Sequence, residues 1–487
     1  MEIKTQEFVA SASRELKNSR SRMFLNRLAP YFALSCTTGM RTFSDPKAAI
    51  EYGRAIRADV IARMPELLEQ FETNAKASGA KVIWAKNAAE ANEFILNLAQ
   101  EHGVKYVTKG KSMVTEEMGL NDFLKNNGIE PFETDLGEFI IQQLGRPPFH
   151  IVGPAINLPV EEIRDLFIAK GVIAEPTTDR IKLGAAARAY LRDKFRHLQM
   201  GITGVNMAVA DSGVILNVEN EGNIRLIKSS PQIQVSIMSL EKVVPTISDA
   251  MHLLRLLCRH CTGQKLSSYI SMDCGPKKND EIDGPEELYI IILDNGRSEI
   301  YGDLKSREAL RCIRCGACLN TCPVYGKIGG YPYGWAYSGP MGQVLNPLLL
   351  GLEKTYDLYH ATTLCGACKA VCPAGIDHPG LFLHYRTKKV HEGKKRFLDK
   401  QAAFFNLWGW GITDSVRWKL GVKLLRPLIN HFVKDGVVRK MVKPLDGWFK
   451  SRNLPAMAKQ TFHERWEKRD HDTKGKTRNS GKTEKRA

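Results

Sequence analysis

The chain has 487 residues, 43% hydrophobic and 25% charged, a globular composition that allows about two to four domains with buried cores. Its formal net charge of +17 sits at one end: from Arg386 onward 27 Lys and Arg face 10 Asp and Glu, so residues 1–385 are neutral. The opening MEIKTQEFVASASRELKNSRSRMF lacks the apolar segment of a secretory signal, and no run of about 18 uncharged apolar residues offers a transmembrane helix.

These features read as a cytoplasmic chain. Thiols stay reduced there, so clustered cysteines are expected to ligate metal rather than to pair as disulfides. Of the 11 cysteines, seven lie between Cys312 and Cys372.

In chain order, residues 1–75 are predicted to be helical, with apolar positions three and four apart in ADVIARMPELLEQFETNA. Residues 76–300 alternate strand-like and helical stretches. AKVIWAKNAAEANEFILNLAQEHGVKYVTKG reads strand, helix, strand, and PFHIVGPAI and MAVADSGVILNVENEGNIRLI read as β-rich. PEELYIIILDN closes the region with a buried strand. Strands separated by helices predict an α/β domain with a largely parallel sheet. Residues 301–390 carry the cysteines, residues 391–458 form a basic, aromatic, helical region, and the charged tail 459–487 is expected to be disordered.

CIRCGACLNTCP supplies Cys312, Cys315, Cys318 and Cys322 followed by Pro323, the C-x2-C-x2-C-x3-C-P run of two-cluster ferredoxins. Three thiolates on a tight loop wrap one cubane, and Gly316 and Ala317 let backbone N–H groups approach its sulfides. The fourth cysteine of such a run ligates the other cluster. The second run, ATTLCGACKAVCP, has Cys365, Cys368 and Cys372, but Thr362 where a first cysteine would stand. The exchange rule therefore assigns Cys312, Cys315, Cys318 and Cys372 to a first 4Fe-4S cluster. Cys322, Cys365 and Cys368 go to a second, 4Fe-4S or 3Fe-4S, whose fourth ligand is unassigned. The 42 residues between Cys322 and Cys365 begin PVYGKIGGYPYGWAYSGPMGQV, a Gly, Tyr and Pro stretch that reads either as an irregular loop over the clusters or as a surface insertion.

With these motifs, the stretches TKGKSMVTEEMGL, ETDLGEFI, GITGVNMAVADSGVILNVENEGNIRL and GPEELYIIILDNGRSEI resemble the iron–sulfur protein of lactate-utilisation operons, the LutB family, over nearly the full length. The resemblance implies an α/β LUD domain, NagB/RpiA/CoA-transferase-like in fold. A ferredoxin-type dicluster domain and a basic helical C-terminal region follow. It implies electron transfer in NAD-independent oxidation of L-lactate to pyruvate, as a subunit working with LutA-like and LutC-like proteins. Two alternatives stay open. One is the electron-transfer subunit of another 2-hydroxy-acid oxidase or of a heterodisulfide-reductase-like complex. The other is a redox-sensing protein that binds a small acid.

Within the α/β region, Lys109, Lys111 and Ser112 stand at a strand-to-helix turn that could bind an anion; the alternative is that Ser112 caps the helix. No P-loop or complete G-x-G-x-x-G is present, so no nicotinamide or flavin site is predicted, and no catalytic residue is assigned. CRHC at 258–261 reads as helix packing more than as zinc ligation. The basic end interleaves Trp408, Trp410 and Trp418 with Arg417, Lys419, Lys423 and Arg426. Such a segment suits an anionic membrane surface or a redox subunit, and nothing in the chain matches a nucleic-acid-binding motif.

Overall fold

The near-continuous apolar run Glu287–Leu293 has to bury both of its faces. In the structure, a computed structural model that describes residues 2–392, 400–441, 449 and 452–469, it does so inside a parallel sheet. Ten strands occupy this part of the chain. They are β1 (Lys81–Ala85), β2 (Tyr106–Lys109), β3 (Glu130–Glu133), β4 (Met200–Gly204) and β5 (Met207–Val209), then β6 (Val214–Glu219), β7 (Ile233–Ser239), β8 (Val243–Val244), β9 (Tyr269–Asp273) and β10 (Glu287–Leu293). Six form a sheet in the order β1-β10-β7-β4-β2-β3, with every neighbouring pair parallel. The other four form a mixed sheet in the order β8-β5-β6-β9.

Alternation along β10 shows how both faces are used. Leu288, Ile290 and Ile292 join a core with Val60, Leu67 and Phe71 of the N-terminal helices. Tyr289, Ile291 and Leu293 join another with Ile95 and Leu98 of the helix Ala88–Glu101. The first core also takes in Leu310, Ile313, Cys315 and Ala317. The first cysteine loop thus shares its apolar interior with the sheet, and Met1–Glu392 forms one compact unit.

The N-terminal segment folds as the helices Phe8–Lys17, Ser19–Met40, Pro46–Ala62 and Met64–Ala77. Asp45 starts the third by accepting from the amides of Lys47 and Ala48, with Pro46 at the first helical position. On that helix the buried guanidinium of Arg57 donates to the carbonyls of Leu310 at 2.7 Å, Glu241 at 2.8 Å and Arg311 at 3.0 Å. One turn earlier Arg54 donates to the carbonyl of Cys372 at 3.2 Å.

Two expectations are corrected. PFHIVGPAI, residues 148–156, contains no strand. Pro148 and Pro154 cannot donate to a ladder, and Phe149 and His150 pack against Tyr325 instead. The Gly, Tyr and Pro stretch after Cys322 is interior rather than a surface loop, with Tyr325, Tyr333 and Tyr337 all buried.

The second unit, Gly393–Ala487, contains the helices Lys400–Ile412 and Ser415–Asn430. It is not wholly helical: Val433–Lys434, Val437–Val438 and Leu454–Pro455 pair as a small antiparallel sheet. Residues 462–469 are helical where disorder is expected, and the stretch from Asp470 onward lies outside the described residues.

Candidate iron–sulfur centre

The two cysteine runs have the same local backbone. Arg314 and Leu364, each just before a cysteine, have φ of 62° and 54°, and Gly316 and Gly366, each just after it, have 76° and 79°. A left-handed conformation costs a non-glycine residue roughly 1–2 kcal/mol. Here it recurs at two equivalent positions, each time turning the loop between the x2 spacings. Short helices follow, Ala317–Asn320 and Ala367–Val371, and they pack against each other. The runs are thereby brought face to face.

Cys312, Cys315, Cys318 and Cys372 line a single cavity. Its other walls are largely apolar, among them Ile151, Ile313, Leu319, Met341 and Ile376. Backbone amides approach the sulfurs: Arg314 N donates to Cys312 Sγ at 3.4 Å, and Ile376 N to Cys372 Sγ at 3.5 Å. Burial pushes the Cys315 and Cys318 thiols far up and Cys372 to about 11, with the neighbouring cysteines adding to each shift. Such thiols ionise only when a cation takes the proton's place. Among the described residues no three His, Cys, Asp or Glu side chains are placed to hold one metal ion. Four thiols around an apolar cavity suit a multi-iron cluster better than a single ion, so the residues fit a cubane.

The remaining three cysteines interact with one another. Burial and the charges of Cys322 and Cys365 raise Cys368 to about 12, and Cys365 likewise adds to the upward shift of Cys322. Tyr325 N donates to Cys322 Sγ at 3.5 Å. Cys365 is exposed, and its thiol is lowered by the Thr363 hydroxyl and the Ala367 amide. At the position of the missing cysteine, Thr362 Oγ1 accepts from Leu364 N at 3.0 Å.

A chain of buried charges ties the first loop to the sheet. Arg297 grips Glu117 with two bonds of 2.7 and 2.8 Å and reaches Glu241 at 3.0 Å. Glu241 in turn pairs with Arg314 at 3.0 Å. Tyr337 donates to Glu117 at 2.6 Å and lies under the Arg314 guanidinium at 4.7 Å. Burial alone would raise Glu241, but Arg297 and Arg314 outweigh it and hold the carboxyl at about 2. No spacing in the sequence announced Arg57, Glu241 or Arg297; their partners are more than 50 residues away.

The three residues grouped as an anion site separate. Lys109 is buried, bonds Glu133 at 2.7 Å and Glu116 at 3.3 Å, and is raised because these carboxylates outweigh burial. It is consumed as a structural counter-ion. Lys111 and Ser112 instead line a cavity beside β4 and β6, and Ser112 makes no side-chain cap to its helix. In CRHC, Cys258 is buried in the core and His260 bonds the Leu256 carbonyl at 2.9 Å.

The LUD domain family matches residues 68–293, and the 4Fe-4S dicluster domain family matches residues 308–376. Lactate utilization protein B of Bacillus cytotoxicus is 41% identical over 415 residues, 85% of this chain and 87% of that protein. The chain belongs to the lactate utilization protein B family. The Anoxybacillus flavithermus member of the lactate utilization protein B family is 42% identical over the same shares of the two chains. A crystal structure of a DUF162 family protein from Deinococcus radiodurans aligns with 47% of this chain and 98% of that one, at 14% identity and a TM-score of 0.27. The two family matches of this lactate utilization protein B relative fall on the parallel sheet and on the cysteine runs, inside one compact unit.

Proposed function

We propose that this chain is an electron-transfer subunit in NAD-independent oxidation of L-lactate to pyruvate, working in a multi-protein complex with other lactate-utilisation proteins. The observation that carries the reading is the cavity shared by Cys312, Cys315, Cys318 and Cys372, three from one run and one from the other. These four hold the first 4Fe-4S cluster. Cys322, Cys365 and Cys368 would hold the second, 4Fe-4S or 3Fe-4S, with no cysteine for a fourth corner.

Bound clusters supply one-electron exchange. The chain's own residues set the conditions for it. Ile151, Ile313 and Met341 exclude water from the first site, and the amides of Arg314 and Ile376 stabilise negative charge on its sulfurs. Arg54 and Arg57 fix the two loops against each other through backbone carbonyls. The test has two readouts. Anaerobically purified protein should contain two clusters by Mössbauer and EPR spectroscopy, and deletion of the gene should abolish growth on L-lactate. One cluster per chain, or normal growth without a paralogue, removes the proposal.

A second reading concerns location. Phe404, Phe405, Trp408, Trp410 and Trp418 are exposed on the two helices of the C-terminal unit. Aromatic side chains beside Arg and Lys suit peripheral binding to an anionic membrane surface. Among the described residues no helix is long and apolar enough to cross a membrane.

A further inference from the structure

We infer that Arg57 and Lys242 are built-in counter-charges of the first cluster and raise its reduction potential. The inference deepens the function proposed above and rests on it for the presence of that cluster.

The charged side chains buried beside the first cysteine loop pair off, with two left over. Arg297 is held by Glu117 and Glu241, and Arg314 by Glu241, so two guanidiniums meet two carboxylates. Arg57 is 2% exposed, and among the described residues it makes no ion pair. Its partners are the backbone carbonyls of Leu310, Arg311, Glu241 and Val243. Carbonyls solvate its N–H groups without cancelling its charge. Lys242 follows Glu241 in the chain and lines the cavity beside the loop. Among the described residues it too makes no ion pair, nor any side-chain hydrogen bond. Burial disfavours both cations, and an unpaired buried charge is expensive to keep.

Both stand at the base of the loop. Leu310 and Arg311, whose carbonyls Arg57 holds, directly precede Cys312. Besides Glu241, the acidic group whose charge reaches both Arg57 and Lys242 is the Cys312 thiol. Four thiolates around a cubane carry net negative charge, and one more electron adds to it. The apolar walls at Ile313, Met341 and Ile376 penalise that added charge. Two unpaired cations offset the penalty, because opposite charge favours the more negative state. The remaining three cysteines have no such pair. The charges that reach Cys322 and Cys368 are those of neighbouring cysteines, and Lys369 is tied to Asp377 at 2.8 Å. The second cluster is therefore an internal reference for the first.

The test is an EPR-monitored redox titration of the anaerobic, full-length, two-cluster protein. Lys242→Met should lower the midpoint of the first cluster by about 59 mV or more, a tenfold loss in the reduced-to-oxidised ratio at fixed potential. The midpoint of the second cluster should stay where it is. Lys242→Arg, which keeps the charge, should restore the native value. Arg57→Met should lower the first midpoint as well, and Arg57→Lys should lower it less. Lys111→Met removes a cation from the same cavity that bonds the Val152 carbonyl, and should leave the first midpoint near native. Iron content of each variant separates a shifted potential from a lost cluster, and Lys242, which holds no backbone, decides if the Arg57 variants assemble poorly. An unshifted first midpoint in Lys242→Met with full iron overturns the inference and leaves the electron-transfer reading in place. Equal shifts in both clusters, an equal shift in Lys111→Met, or no recovery in Lys242→Arg overturn it too. Native protein without the two clusters would instead remove the electron-transfer reading.

Discussion

The Thr362 hydroxyl accepts the Leu364 amide hydrogen at 3.0 Å, the bond that the Cys312 sulfur accepts from Arg314 at 3.4 Å. The backbone around Thr362 thus repeats the local hydrogen bond made at Cys312, with oxygen in place of sulfur. On mild oxidation the native protein is expected to lose about one iron and to develop a three-iron EPR signal. Thr362→Cys should suppress that signal and keep four irons at the second site. An unchanged three-iron signal in the variant would show that the vacancy lies elsewhere.

His150 gives a pH dependence with a definite sign. Its Nδ1 accepts from Val152 N at 3.1 Å and its Nε2 meets Asn320 Oδ1 at 3.0 Å, so only the neutral ring satisfies both. Burial lowers it from 6.5 to about 4. Above 6.5 neither the folded nor the unfolded ring is charged, and stability is flat. As pH falls from 6.5 towards 4 the unfolded chain takes up the proton first, and about 3 kcal/mol is lost. Urea midpoints across this range should fall more steeply for the native chain than for His150→Gln. Parallel slopes would refute the assignment.

The Glu117–Arg297–Glu241–Arg314 chain predicts a large stability effect remote from any cysteine. Arg297→Met leaves Glu117 and Glu241 buried with a lost counter-charge, at a cost of about 3–5 kcal/mol. Arg297→Lys keeps the charge but not the two-bond grip on Glu117, and should fall in between. Denaturant unfolding measures both; a loss below about 1 kcal/mol for the Met variant would rule out the chain as a principal tie.

For the C-terminal unit, vesicle co-sedimentation is the measurement. Full-length protein should pellet with anionic vesicles, less so as salt rises. Combined Trp408→Ser, Trp410→Ser and Trp418→Ser should leave it in the supernatant. Binding that survives the three substitutions would point to charge alone.

What the sequence made legible was local. β1, the helix Ala88–Glu101 and β2 follow from hydrophobic periodicity, and the dicluster domain follows from the spacing of its cysteines. PFHIVGPAI misled because apolar residues between two prolines look like a strand, while Phe149 and His150 in fact pack on Tyr325. Lys109 misled because a lysine at a strand end looks available until Glu133 is seen 2.7 Å away. The approach of Arg57 and Lys242 to Cys312 is visible only once distant segments have closed around the loop.

Arg54 and Arg57 stand on one helix, and between them they hold the carbonyls of Cys372, Leu310 and Arg311. The piece of chain that clamps both ligand loops is thus made first, more than 250 residues before the first ligand. A ferredoxin segment cut out at residue 301 would carry all seven thiols of the two cysteine runs and none of the clamp. The cysteine runs are not a transplantable module: an excised segment should take up iron poorly, whereas adding back the N-terminal region in trans should restore it.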